Sequence, residues 1–154
     1  MPAYAIVAER SSAQFHHPFP RKQGGPLPSH SILIVDDHAT TRSFMMRGLW
    51  DLGYQCQEAA NGLDALIRLQ TGHYDVILTN LQMPFVDGLA LSQHIKEDAS
   101  LGSPMIIMMT STSSALIESL AYGFGIREIL SKPCLPCEVD RIIRSERLKL
   151  PSAA

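Results

Sequence analysis

Three short apolar runs, each ending on polar side chains, constrain this chain more than any other feature. Ile32-Leu33-Ile34-Val35 runs into Asp36-Asp37, Val76-Ile77-Leu78 into Thr79-Asn80, and Met105 to Met109 into Thr110. A strand with one wet face alternates apolar and polar residues, and these runs do not alternate. They suit strands buried on both faces, as in a parallel sheet covered by helices. Two weaker runs, YQCQEA (54–59) and IREIL (126–130), bring the number of candidate strands to five.

Helical periodicity fills the gaps. Residues 39–52 place Phe44, Met45, Gly48, Leu49 and Leu52 on one face and stop at Gly53. Residues 62–70 carry Leu63, Leu66, Ile67 and Leu69, and residues 87–97 carry Leu89, Leu91 and Ile95. Residues 112–123 carry Leu116, Ile117 and Leu120. Residues 136–148 open with Pro136 in the first turn and carry Val139, Ile142 and Ile143. Strand and helix alternate five times, which predicts an α/β, doubly wound, five-stranded parallel sheet with five helices and right-handed crossovers.

Length and composition set the outer bounds. A chain of 154 residues, 45% of them apolar, predicts one soluble domain of ordinary composition. Five of the ten prolines fall at Pro2, Pro18, Pro20, Pro26 and Pro28. Residues 1–30 therefore read as an extended, solvated tail, 31–148 as the folded domain and 149–154 as a short C-terminal tail. Tyr4–Ala8 is a small apolar patch in that tail, and the adjacent His16 and His17 lack further ligands nearby. A net charge of −2 argues against a dedicated nucleic-acid binder. No run approaches the roughly 18 apolar residues of a membrane span. There is no basic-then-apolar leader, and three cysteines suit a reducing compartment, so the expected location is cytoplasmic.

In an open α/β sheet, ligands bind beyond the carboxyl ends of the strands. Those ends carry Asp36-Asp37, Asn80 and Thr110, and Lys132-Pro133 follows the fifth strand. Polar groups from four strands thus collect at one edge.

With ILIVDD, LTNLQMPFVDG, MMTS and ILSKP in this order, residues 31–148 resemble the receiver domain of two-component response regulators, of the chemotaxis-regulator type. Arg42, Gly53-Tyr54, Asn61-Gly62-Leu63-Asp64-Ala65-Leu66 and Gly125 also match. So do the spacings of 30 residues from Asn80 to Thr110 and 22 from Thr110 to Lys132. The resemblance implies a flavodoxin-like sheet of strand order 2-1-3-4-5. It implies a Mg²⁺ nest in which Asp37 ligates directly, Asp36 acts mainly through water and the Gln82 backbone carbonyl completes the shell. It implies that Thr110 senses a phosphoryl group, that Lys132 pairs with it, and that small Ser111 leaves room for it. It also implies a cis Lys132-Pro133 bond. Activity would lie in phosphorelay signalling rather than in enzymatic turnover, with at most slow self-dephosphorylation.

One departure from the family matters most. Where the family has its phosphoacceptor aspartate, this chain has Asn80. A carboxamide is not a carboxylate nucleophile, so the usual aspartyl phosphate cannot form on it. With one carboxylate fewer, Mg²⁺ is expected to bind more weakly, although the Asn80 side-chain oxygen can still ligate. The reading is a phosphorylation-independent pseudo-receiver. Its rival is a normal phospho-switch, with aspartate at position 80 of the native gene or restored by deamidation. Leu81 disfavours the deamidation route. A second departure is Ile129, where the family carries an aromatic ring that couples to the threonine.

The remaining candidates have blander readings beside them. Cys134-Leu135-Pro136-Cys137 opens the last helix and is a candidate for thiol redox or metal chemistry, against a reading as two small apolar residues. His38 is either a surface imidazole or a pocket-rim residue. Met105, Met108 and Met109 read as core filler rather than copper ligands. On a helical wheel Met46 and Trp50 point away from the Phe44–Leu49 stripe, which makes them a candidate docking patch, against a reading in which Trp50 is covered by its neighbours. The resemblance places a histidine kinase or phosphotransfer protein on the first helix and a downstream protein on the fourth and fifth. After residue 148 only six residues remain, so a stand-alone domain is expected, monomeric or weakly dimeric, without direct contact to nucleic acid or membrane.

Overall fold

A computed structural model describes residues 30–149. The expected N-terminal tail, with Tyr4–Ala8, His16 and His17, lies outside the described residues apart from His30. Residues 150–154 of the expected C-terminal tail lie outside them as well.

Strands and helices alternate as the sequence predicts. They are β1 (Ser31–Val35), α1 (Ala39–Asp51), β2 (Gln55–Ala59), α2 (Gly62–Thr71), β3 (Val76–Asn80), α3 (Gly88–Glu97), β4 (Met105–Thr110), α4 (Ala115–Gly123), β5 (Ile126–Ser131) and α5 (Pro136–Lys149). A short 3₁₀ turn, Ala99–Leu101, follows α3. All strand pairs are parallel, in the order β2-β1-β3-β4-β5.

The strands bury both faces, and the period-2 geometry of a strand sorts their side chains into two cores. Ile32, Ile34, Val76, Leu78, Ile107 and Met109 face α1 and α5, meeting Met45, Leu49, Val139 and Ile143. Their neighbours Leu33, Val35, Ile77, Ile106 and Met108 face α2, α3 and α4, meeting Ala65, Leu69, Leu91, Ile95 and Ala121. Met108 and Met109 are wholly buried core side chains, while Met105 is partly buried at the strand's start. Local capping sets the helix starts. Asn61, Asp87 and Ser114 each accept a backbone N–H three residues on, from Asp64, Ala90 and Ile117. The Ser114 cap explains why α4 starts at Ala115 rather than at the expected 112.

The first helix corrects one expectation. Its buried residues are Met45, Leu49 and Trp50, with Met46 partly buried against the core. Trp50 is only 8% exposed, whereas Phe44 is 51% exposed and Leu52 is exposed at the helix end. The proposed outward Met46–Trp50 patch is therefore wrong. The helix packs on β1, β2 and α5, and this turns its covered face toward the 46/50 side. Gly48 sits against the Pro136 ring of α5, where a Cβ would come within 2.2 Å of Pro136 Cγ. Apolar periodicity likewise overstated burial in α2 and α4, where Leu63, Ile67, Leu116 and Leu120 are exposed.

Candidate functional site

Parallel register brings the polar strand ends to one level. Val35 pairs with Thr79, Asn80 with Met109, and Thr110 with Ser131. The next residues along β1 and β5, Asp36 and Lys132, therefore flank the ends of β3 and β4. Asp37, His38, Thr41, Asn80, Gln82, Thr110, Ser111 and Lys132 line a cleft of about 360 Å³ there. Of the residues the resemblance implies for phosphoryl and metal chemistry, Asp37, Asn80, Gln82, Thr110 and Lys132 line this cleft, and Asp36 bonds to its lining residues Lys132 and His38. Ser111 lines it from the β4 end.

Asp36 is 0% exposed and its oxygens are all engaged. Oδ2 accepts from Lys132 Nζ at 2.8 Å. Oδ1 accepts the backbone N–H of His38 at 2.8 Å and lies 3.2 Å from His38 Nδ1. Its backbone carbonyl accepts from Arg42 Nη1 at 2.8 Å, and Arg42 Nε reaches Glu58 at 3.3 Å. Arg42 thus ties the β1–α1 turn to β2. Sequence reasoning noted Arg42 as a pattern match without finding this role. Asp37 is more open, and its Oδ1 is 3.1 Å from His38 Nδ1.

Asn80 is buried at the end of β3, and its Nδ2 donates to Asp37 Oδ1 at 3.2 Å and to the Gln82 backbone oxygen at 2.8 Å. Both partners are acceptors only, so the amide nitrogen, not the amide oxygen, must face them. Gly88 makes this strand end possible, since a Cβ there would lie 2.4 Å from the Asn80 carbonyl oxygen. The Thr110 hydroxyl is turned into its own loop, donating to the Thr112 carbonyl at 2.6 Å and accepting the Thr112 N–H at 3.1 Å. Lys132 N donates to the Thr110 carbonyl at 2.8 Å, and the Lys132–Pro133 bond is cis.

Two further residues line the cleft. His38 is a rim residue whose ring contacts both aspartates. Thr41 lines the cleft and was missed, because nothing in its sequence context marks it. Phe85, in the β3–α3 loop, has φ +70 and an exposed ring, a backbone region that bulky side chains rarely adopt. Ile129 is partly buried against the α2–α4 face core.

The donor chemistry fits a cation. Asp36, Asp37 and His38 are the grouping among the described residues whose ligand atoms lie close enough to share a metal ion. The Gln82 carbonyl, and the Asn80 oxygen after an amide turn, add oxygen donors. Cys134 and Cys137 join no such grouping. Cys134 is buried and Cys137 exposed, and burial, followed by the charge of Glu138, pushes the Cys134 thiol up. That shift runs against a readily formed Cys134 thiolate. No helix among the described residues is long and apolar enough to cross a membrane.

Comparison with known proteins gives a consistent picture. The profile of the response regulator receiver domain matches residues 32–144. The sensor histidine kinase RcsC of Escherichia coli K12 is 38% identical over 103 residues, 66% of this chain and 10% of the kinase. The sensor protein EvgS of Escherichia coli O157:H7 is 38% identical over 103 residues, 67% of this chain and 8% of that protein. The chain thus spans about a tenth of the length of these relatives. Among solved structures, the chemotaxis protein CheY4 of Vibrio cholerae superposes with a TM-score of 0.71 at 26% identity, covering 75% of this chain and 97% of that one. The receiver domain of a histidine kinase from Syntrophus aciditrophicus gives 0.72 at 25% identity, covering 82% and 96%.

Proposed function

The chain belongs to the response regulator receiver family, and from that premise we propose that it is a pseudo-receiver, signalling through protein contacts without an aspartyl phosphate. One observation carries this reading. The group at the strand end where phosphoryl transfer would occur is the Asn80 carboxamide, and its Nδ2 bridges Asp37 Oδ1 and the Gln82 carbonyl. A carboxamide offers no anionic oxygen for attack on a phosphohistidine. Its N–H groups satisfy the two oxygens that a divalent cation would otherwise hold.

In this reading Asp36, Asp37, the Gln82 carbonyl and the Asn80 side-chain oxygen would hold Mg²⁺, more weakly than three carboxylates would. When bound, the ion neutralises negative charge at the pocket. Lys132 keeps the buried Asp36 charge paired, and Arg42 fixes the turn that presents Asp37. Thr110 lines the cleft, but its hydroxyl is held by its own loop through the Thr112 carbonyl. Partly buried Ile129 gives this hydroxyl no ring to move with, so output does not depend on the threonine–aromatic coupling. The chain turns over no substrate and works in the cytoplasm.

The input partner, a histidine kinase or phosphotransfer protein, docks on α1. Its apolar contact there is Phe44 rather than Trp50. Phe44 lines a groove of about 520 Å³ with Met45, Met109, Pro133 and Cys134, beside the acidic pocket. The downstream protein docks on α4 and α5, where Leu116 and Leu120 are exposed on α4.

The test is direct. The protein is incubated with a small phosphodonor and Mg²⁺ and its intact mass is followed. No gain is expected, while Asn80→Asp gains one phosphoryl group. A stoichiometric gain on the unaltered chain, mapped to residue 80, would overturn the reading. A second reading, a phospho-switch with a native aspartate at this position, draws support from the Asp36–Lys132 pair and the retained Thr110. Sequencing the native codon 80 decides it.

A further inference from the structure

A groove of about 630 Å³ lies at the opposite end of the sheet from the Asn80 cleft. It is lined by Val76, Met105 and Ile126, the first residues of β3, β4 and β5. Pro104 and the Tyr122 ring, which is 55% exposed, add apolar surface. His30 lines the groove too, and the chain entering the domain is clamped there. The His30 carbonyl accepts the Gln55 N–H at 3.1 Å, and the Ser31 N–H donates to Asp75 Oδ2 at 2.8 Å. Asp75 is itself a lining residue, and its carbonyl accepts the Met105 N–H at 2.9 Å.

The point of entry decides what lies within reach of this groove. Neighbouring strands are about 4.8 Å apart, so β4, two strands along from β1, is roughly 10 Å away. Three residues of extended chain span about 10 Å, which brings residue 27 to the start of β4. From Pro20 to Ser29 the sequence is PRKQGGPLPS, and apart from the prolines Leu27 is its only apolar side chain. Pro26 and Pro28 fix their own φ, and Pro28 restricts Leu27 to extended conformations. The segment therefore has little freedom left to lose on docking. Charge acts in the same direction. Arg21 and Lys22 are the only charged residues of the segment, while Asp75 and Glu146 outnumber Arg127 along the groove.

We propose that this groove is the seat of the chain's own Pro26-Leu27-Pro28 segment, which crosses the N-terminal ends of β3 and β4 with Leu27 against Pro104 and Met105 and with Pro26 reaching the Tyr122 ring. Aromatic faces are the usual platforms for proline-rich segments. The link from Pro28 to the clamped Ser31 is so short that the effective concentration of the segment is at least about millimolar. A modest apolar contact then suffices, and a second copy or a free peptide has to displace a tethered occupant. The strap joins the entry to β1 with the end of α4, which carries Tyr122. It shares no residue with the Asn80 cleft, so it stands whether or not the chain is a pseudo-receiver.

The test is NMR on the full chain with labelled leucine and methionine methyls. A nuclear Overhauser contact between the Leu27 and Met105 methyls of the same molecule is expected. Leu27→Ser identifies the Leu27 signals and should shift the amides of Met105, Gly125 and Ile126 while leaving those of Asn80 and Thr110 in place. Tyr122→Ser, made at an exposed ring, should in turn shift the Leu27 amide. A free PRKQGGPLPS peptide should bind the Leu27→Ser chain at least about tenfold tighter than the unaltered chain, whose groove is already filled. The proposal is overturned if the Leu27–Met105 contact is absent, if Leu27→Ser moves no groove amide, or if the peptide binds both chains equally. A contact that forms only between labelled and unlabelled copies would give the groove to a second molecule, and a Leu150 methyl against Met105 would give it to the C-terminal segment. Either result also overturns the proposal.

Discussion

Lys132 Nζ lies 2.8 Å from Oδ2 of Asp36, a carboxylate with no exposure to solvent, and the two residues are 96 positions apart in sequence. The pair joins the ends of β1 and β5 across the top of the sheet. Removing the ammonium leaves a buried carboxylate beside a second acid, Asp37. Breaking a buried pair typically costs about 3–5 kcal/mol. Lys132 retains some access to water, so Lys132→Ala is expected to cost about 2–3 kcal/mol, just below that range. The check is the urea midpoint at unchanged m-value. Lys132→Ala/Asp36→Asn should recover part of the loss, because no unpaired charge is left. A double variant as unstable as the single one would place the cost elsewhere.

The residue at position 80 should set how stability responds to divalent ions. Asn80→Asp removes two N–H donors from Asp37 and Gln82 and adds a third carboxylate. Each lost hydrogen bond is worth about 0.5–1.5 kcal/mol, and like-charge repulsion adds to it. Without divalent ions Asn80→Asp should therefore unfold about 1–3 kcal/mol more easily. Ligand that binds only the folded state returns stability by mass action. Millimolar Mg²⁺ is thus expected to raise the Tm of Asn80→Asp well above its metal-free value and to move the unaltered chain much less. Calorimetry with and without Mg²⁺ measures both, and equal shifts would contradict the account of Asn80.

Gly48 gives a prediction in which two effects oppose each other. Alanine is about 1 kcal/mol better than glycine in a helix interior. A Cβ at residue 48, however, would sit 2.2 Å from Pro136 Cγ and 2.7 Å from Pro136 Cβ. The proline ring cannot rotate away, and overpacking of this kind costs about 1–3 kcal/mol. The clash should win, so Gly48→Ala is expected to lower the Tm. Gly48→Ala combined with Pro136→Ala should show the helix-propensity gain instead.

What could be read from the sequence followed the strength of the local signal. Strands buried on both faces leave unbroken apolar runs, so β1, β3 and β4 were legible from Ile32–Val35, Val76–Leu78 and Met105–Met109. Parallel register then assembles the site, because the polar residue ending each run has nowhere else to go. Trp50 was misplaced because a wheel assumes that the most apolar arc is the buried one. In α1 the contact between Gly48 and Pro136, 88 residues later, sets the packing, and no local window contains it. The contacts of His38 and Arg42 with Asp36 are local in sequence but follow the backbone path of the β1–α1 turn, which periodicity does not report. Asn80 was legible as a departure, but its bridge between Asp37 and Gln82 needed the structure.

Alkaline pH should reveal the buried thiols. Burial pushes Cys56 from an ordinary 9.0 up to about 12. Burial also raises Tyr74 and Cys134. A group whose folded pKa is raised contributes stability that is fully present below its unfolded value and lost as pH climbs through the folded one. Between about pH 9 and 12 the unfolded chain has released the Cys56 proton and the folded chain has not. Stability should therefore fall by roughly 1.4 kcal/mol per pH unit from this group alone. Urea unfolding at stepwise pH measures the slope, with Tyr74→Phe as background so that the phenol does not contribute. In that background Cys56→Ala should make the fall above pH 9 shallower, leaving the contribution of Cys134. The same protonation protects the folded thiols, so a brief iodoacetamide pulse at pH 8 is expected to label exposed Cys137 first and to reach Cys56 only after unfolding. Early labelling of Cys56 in the native protein would mean that its strand at the sheet edge opens locally.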